Sequence, residues 1–302
     1  MTSVAQTLVE GTALLHDSSA SPRADALLLL GHALNREREW IVAHGDATPS
    51  REEVQAFERL STRRSEGVPV AYLLGSAAFY GREFLVNASV LVPRPETEHL
   101  VAEAIAFIGN RAARVLDVGT GSGIIACTIA AETQATVHAT DISPAAIGFA
   151  KKNAQRLGVA DRCTFLAGDL TEPVKNERYD VVVANLPYIP SAQIPTKPDP
   201  IAYEPREALD GGPNGLTLYC RLLDTLALLL NANALVLLEA APSTMPGLSA
   251  IVRSALPHSA IAVCRDYAGL ERYLRISTGS ASKLLFRSAP LRGGTADDRF
   301  RS

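Results

Sequence analysis

From residue 114 onward, short apolar runs alternate with segments of helical periodicity, and this alternation restricts the fold more than any other feature of the chain. The runs fall at 114–118, 135–140, 163–167, 179–184, 234–239, 260–265 and 272–277. Each has the length of a buried strand. Between them, the stretches near 123–131, 143–157, 215–230 and 243–255 carry apolar residues at helical spacing. Strands and helices in turn predict an α/β fold, doubly wound, with a mostly parallel seven-stranded sheet. Ligands of such sheets gather at the carboxyl ends of the strands, where the strand order reverses. The first and fourth strands are then neighbours, so the loops after residues 118 and 184 should open into one crevice.

The chain has 302 residues, enough for one large core or two domains. A net charge of −3 argues against a dominant nucleic-acid footprint, which is normally basic. Cys127, Cys163, Cys220 and Cys264 are far apart, and no Cys-x-x-Cys occurs. With the histidines also scattered, neither a metal site nor a disulfide framework is expected. The N-terminus lacks the basic start and apolar segment of a secretion signal, and apolar stretches such as 26–30 and 226–230 are too short to cross a bilayer. A cytoplasmic protein with no membrane partner is the expectation.

Residues 1–75 read as helices, with apolar periodicity over 4–15, 24–42 and 54–64 and helix-start signals at Ser21-Pro22 and Pro49-Ser50. This region holds seven Lys and Arg against ten Asp and Glu and no catalytic cluster. It is taken as a small helical domain that docks a partner. Residues 76–92 are taken as a β-hairpin connector, with strand-like runs at 79–81, 84–86 and 90–92 punctuated by glycine and asparagine. A helix opens after Pro93 and Pro95, with Thr97 or Glu98 as its cap. It begins the α/β domain, 93–278. From 279 to 302 periodicity is lost, and a disordered tail is expected.

The first strand of the sheet runs into Gly119-Thr120-Gly121-Ser122-Gly123. Glycines there permit a tight turn and let a ligand approach the backbone. Ile124 occupies the last glycine position of the dinucleotide fingerprint, so the spacing is not that of a pyrophosphate site. Asp141 ends the next strand, placed to hold both hydroxyls of a ribose. Asp169 ends the third, placed to accept from an adenine amino group while Leu170 covers the ring. Asp is also an ordinary turn residue at strand ends. The fourth strand ends in Asn185-Leu186-Pro187-Tyr188, which joins a carbonyl acceptor, a rigid turn and an aromatic face. Such a set suits a planar amide or amino nitrogen, although Asn and Pro are also common in plain loops.

With these residues assembled, the chain resembles the protein-(glutamine-N5) methyltransferases that modify peptide-chain release factors. The resemblance rests on Pro69 to Gly75, Val90 to Glu98, Leu116 to Gly123, Asn185 to Pro190, Tyr203-Glu204-Pro205, Ala208 to Gly212 and Asn214-Gly215-Leu216. It implies the class I S-adenosylmethionine methyltransferase fold, with S-adenosyl-L-methionine held by Gly119, Thr120, Gly121, Gly123, Asp141, Asp169, Leu170 and Asn185. The implied substrate is the glutamine of a Gly-Gly-Gln loop on a release factor, bound by Asn185, Leu186, Pro187 and Tyr188. Asn185, Pro187 and Tyr188 are the implied catalytic residues, in a monomeric enzyme without nucleic-acid contact. Alternatives are a glutamine of a ribosomal protein, adenine-N6 methylation of nucleic acid, and a non-catalytic adenosyl-binding module.

Three departures from the family pattern stand out. Leu186 replaces the usual proline, at a position expected to contribute mainly backbone. Asn231 and Asn233 replace a glycine-rich turn, where a left-handed conformation would let Asn mimic glycine. The segment after Glu239 lacks a glutamine often found there.

Overall fold

Two helices of the N-terminal region start alike. The hydroxyls of Ser3 and Ser50 accept the N–H three residues on, while Gln6 and Glu53 reach back to the serine N–H. These capping boxes open α1 (Val4–Leu14) and α4 (Arg51–Ser65). Between them lie α2 (Pro22–Leu34) and α3 (Arg38–Ala43), and α5 (Val70–Leu74) follows. The single helix expected over 24–42 is broken because Asn35 turns left-handed at φ 49°, its N–H closing on the carbonyls of Gly31 and His32. Asparagine is one of the few residues that tolerate this. Leu8, Leu29, Leu30, Ile41 and Phe57 form a core for these helices that is separate from those of the sheet. The structure, a computed structural model, describes residues 2–279. The expected tail, Gly279 apart, lies outside them.

The large sheet is built from β3 (Arg114–Val118), β4 (Thr136–Asp141), β5 (Cys163–Ala167), β6 (Tyr179–Ala184), β7 (Leu230–Glu239), β8 (Ala260–Arg265) and β9 (Glu271–Ser277), after the hairpin β1 (Ser76–Phe79) and β2 (Arg82–Leu85). Its order is β5-β4-β3-β6-β7-β9-β8. The first five are parallel, and β9 runs antiparallel to both β7 and β8. As expected, β3 and β6 are neighbours, with Val118 beside Ala184. Strand residues alternate between two cores. Val115, Val181 and Val183 face α6 (Thr97–Ile108), α7 (Ile124–Glu132) and α8 (Pro144–Arg156), whereas Leu116, Val182 and Ala184 face α9 (Thr217–Leu226) and α10 (Met245–Ala255).

The hairpin departs from expectation. It turns tightly at Tyr80 and Gly81, both at positive φ, whereas 90–92 form no strand. The hairpin is packed into the α/β domain, since Phe79 and Phe84 are buried in the α6–α8 core. The Asn153 amide of α8 also bonds both the N–H and the carbonyl of Leu85. Asn231 and Asn233 are strand residues of β7 and neither is left-handed. Instead the Asn231 amide donates to Asp180 on β6 at 2.7 Å.

Candidate active site

The turn after β3 is fixed from below by a residue the sequence reading gave no role. Asp117 is 0% exposed, and its Oδ2 accepts the Thr120 hydroxyl at 2.6 Å and the Ala126 N–H at 3.1 Å. One carboxylate thus braces the glycine turn and satisfies a free N–H in the first turn of α7. Burial pushes its pKa up to about 7, with the nearby Asp141 charge adding to the rise. The signal was visible as an acid inside an otherwise apolar strand. Two residues expected to hold the cofactor, Thr120 and Gly123, also belong to this turn. The Thr120 hydroxyl is committed to Asp117 and its side chain is buried. Gly123 begins α7 at φ 83°, where a Cβ would stand 3.0 Å from Ala150. Neither lines the cavity, and both shape the turn.

Gly119 and Gly121 do line it, both left-handed, and a Cβ on Gly121 would meet no protein atom within 4 Å. The cavity holds about 310 Å³. Asp141 forms its far wall. One oxygen accepts the Gly121 N–H at 2.8 Å and the other the Ser143 N–H at 2.9 Å. Burial raises the Asp141 pKa and these two bonds oppose the rise. Leu170 (φ 47°) and Asp169 lie beside it, and Asp169 is ion-paired with Arg221 of α9. Sequence reasoning missed that pairing, and it also missed residues 89–91 with Pro205, Glu207, Ala208 and Asp210, which line the cavity too.

Asn185, Leu186 and Pro187 form the remaining wall. Asn185 Nδ2 donates to Thr97 Oγ1 at 3.2 Å, and Thr97 Oγ1 donates to Glu239 Oε2 at 2.8 Å. Thr97 is thus the first residue of α6 and buried, not its cap. Leu186 contributes more than backbone, because its side chain is buried over Gly119. Its N–H donates to the hydroxyl of Tyr219. Tyr188 is absent from the cavity wall and packs against the α9–α10 core. Burial raises the pKa of its hydroxyl, and Glu239 and Glu96 raise it further against Arg94 and Arg272.

The sequence Asp210-Gly211-Gly212-Pro213-Asn214-Gly215 wraps the back of this turn. A Cβ on Gly211 would stand 2.6 Å from the Pro187 carbonyl oxygen, and one on Gly215 2.3 Å from that of Tyr188. Only glycines allow so close an approach. Among the described residues, no donor is bonded to the carbonyl of Leu186 or of Pro187.

A parallel sheet with antiparallel β9, a glycine turn after its first strand and an amide-bearing turn after its fourth define a class I methyltransferase. The methyltransferase domain profile matches residues 110–229, and the PrmC N-terminal domain profile matches 6–75. A methyltransferase structure from Pyrococcus furiosus covers 66% of this chain at 19% identity, with TM-score 0.50 over 90% of its own length, and bears out the fold. A release factor glutamine methyltransferase of Rhodopirellula baltica is 39% identical over 85% of this chain and 89% of its own. That of Moorella thermoacetica is 38% identical over 83% and 89%. The chain belongs to the release factor glutamine methyltransferase family.

Proposed function

We propose that this chain transfers a methyl group from S-adenosylmethionine to the side-chain amide nitrogen of the glutamine in a release factor's Gly-Gly-Gln loop. The observation that carries the reading is the Asn185 amide, whose nitrogen is engaged inside the protein, leaving Oδ1 as the acceptor at the cavity wall.

The cavity fits an adenosyl group. Open space above Gly121 admits a ligand against the backbone. Two of the lone-pair sites of Asp141 hold N–H groups, and a carboxylate has others free for ribose hydroxyls. Asp169 and Leu170 flank the place for the base. The wall carries four carboxylates, Asp141, Asp169, Glu207 and Asp210, against the single guanidinium of Arg221, an excess that favours a sulfonium cation. Bound there, S-adenosylmethionine supplies the electrophilic methyl group.

The chain's own part is positioning. Asn185 Oδ1 takes one N–H of the substrate amide, and the carbonyl of Leu186 or Pro187 takes the other. Orientation of a weak nucleophile accounts for much of the rate. As the new carbon–nitrogen bond forms, the N–H groups become more acidic and both acceptor bonds strengthen. One amide proton then leaves to water, with no side-chain base required. The helices of 1–75 dock the release factor, in a monomeric and cytoplasmic enzyme. Among the described residues, no helix is long and apolar enough to cross a membrane.

The test uses labelled S-adenosylmethionine with a release factor and with a variant lacking the loop glutamine. Label on the wild-type factor alone supports the reading. Equal label on both, or on neither, overturns it.

A further inference from the structure

An asparagine amide presents a donor and an acceptor of nearly equal size, and only Oδ1 can receive a substrate N–H. Turned over, Asn185 would set Nδ2 against that N–H and lose the contact. Three elements decide which end faces the cavity. Ala184 of β6 is paired with Leu238 of β7, which brings Asn185 beside Glu239. The first residue of α6, Thr97, lies against both.

A threonine hydroxyl has one proton. Here it goes to Glu239, an acceptor-only group when ionised, so Thr97 Oγ1 has only lone pairs to offer Asn185. It must receive Nδ2–H. Asn185 also lies close enough to Glu239 to hold its pKa down. Glu239 is 2% exposed and Thr97 is 0% exposed, so water cannot replace either partner.

We propose that Glu239 is a positioning residue for methyl transfer: with Thr97 it holds the Asn185 amide nitrogen and keeps Oδ1 turned to the substrate. The proposal rests on reading Asn185 as the contact to the substrate amide. Its geometry depends on ionised Glu239, since a protonated carboxyl donates and the order of bonds is lost. The groups facing Glu239 are Glu96 at the start of α6, Arg272 of β9, Tyr188, and Tyr219 of α9, whose hydroxyl donates to the Glu239 backbone carbonyl. Burial dominates and brings the pKa up to about 7, with Glu96 adding to the rise and Thr97, Arg272 and Asn185 opposing it. Turnover should therefore rise with pH through neutrality.

Glu239→Gln keeps the shape but replaces an acceptor-only group by one that also donates, so Thr97 Oγ1 can receive an N–H and turn its own proton to Asn185 Oδ1. It should lower kcat roughly 10- to 100-fold, the scale for partners that orient a reacting ligand, with cofactor affinity nearly unchanged. The rise of kcat through about pH 7 should disappear with it. Thr97→Val, which removes the link by a different route, should also lower kcat. A second readout needs no substrate. In protein carrying isotope-labelled asparagine, the Asn185 side-chain resonance, identified by its loss in Asn185→Ala, should titrate near neutrality and stop doing so in Glu239→Gln. Wild-type turnover and pH profile in Glu239→Gln, or an Asn185 resonance blind to pH in the wild type, would overturn the proposal. A wild-type protein that labels no release factor would instead overturn the proposed function, and the resonance would still decide the positioning role.

Discussion

The side chain of Leu186 lies directly over Gly119, so close that a Cβ on the glycine would stand 2.9 Å from Leu186 Cδ2. The glycine turn after β3 and the Asn185 turn after β6 are therefore one packed unit. Gly119→Ala should push Leu186 away and disturb Asn185, and the left-handed backbone (φ 75°) adds about 1 kcal/mol of strain. We expect lower kcat as well as weaker cofactor binding. Leu186→Ala makes room, so the double variant should recover part of the kcat lost in Gly119→Ala. Strictly additive losses across this cycle would show that the contact couples nothing.

Asp117 makes stability depend on pH. Its pKa is raised from 3.8 to about 7 in the folded protein, so between those values the folded state binds the proton that the unfolded state has lost. The contribution is fully present below the lower value and is lost as pH rises through the upper one. By 1.36 kcal/mol per unit this is on the order of 4 kcal/mol. Asp117→Asn has no such proton. Its melting temperature should fall less than that of the wild type between about pH 5 and pH 8. Glu239, raised from 4.5 to about 7, leaves a residual slope of the same sign. Parallel melting profiles would refute the role of Asp117.

The strands and their shared crevice were legible because apolar runs of strand length leave few other arrangements, and β3 beside β6 follows from the doubly wound order. Asn185 was legible for the same reason, as the residue that ends β6. What holds it was not. Thr97 is 88 residues before it and looked like a helix cap, and Glu239 is 142 residues from Thr97 in sequence. Only the packing of α6 across β6 and β7 makes them neighbours. Leu186 was read as a backbone position because its burial depends on Gly119, in a turn distant in sequence. The glycines at 211 and 215 were seen as a loop motif, but the backbone they approach, that of Pro187 and Tyr188, belongs to a different turn.

Asp141 is predicted to serve both the turn and the ligand. Asp141→Asn keeps one acceptor and points an N–H₂ group at the N–H of either Gly121 or Ser143. Losing one charge-assisted bond of this kind costs about 1.5–3 kcal/mol. Cofactor affinity measured by calorimetry should fall roughly 10- to 100-fold. An unchanged dissociation constant would remove Asp141 from the cofactor site.

Glu204 ties the outer wall of the cavity to the rest of the protein, and its carboxylate is only 1% exposed. Arg94 meets one oxygen at 2.5 Å and the Val92 N–H meets the other at 3.1 Å. Next to it, the Tyr203 hydroxyl donates to the Glu66 carbonyl at the end of α4, linking this loop to the N-terminal helices. Burial already raises the Glu204 pKa, and Arg94 is the main charge opposing that rise. Arg94→Met would leave the carboxylate uncompensated, at a cost of about 3 kcal/mol when a buried pair loses one member. The partial exposure of Arg94, 32%, puts the expected loss below that figure. Without its cation Glu204 should bind a proton more readily, so the deficit should shrink as pH is lowered. Arg94→Met with Glu204→Gln removes both charges and should recover most of the stability. If the single variant melts like the wild type at about pH 8, the pair does not hold the wall. If it melts early and the double variant does not recover, the loss comes from Arg94 packing rather than from a stranded charge.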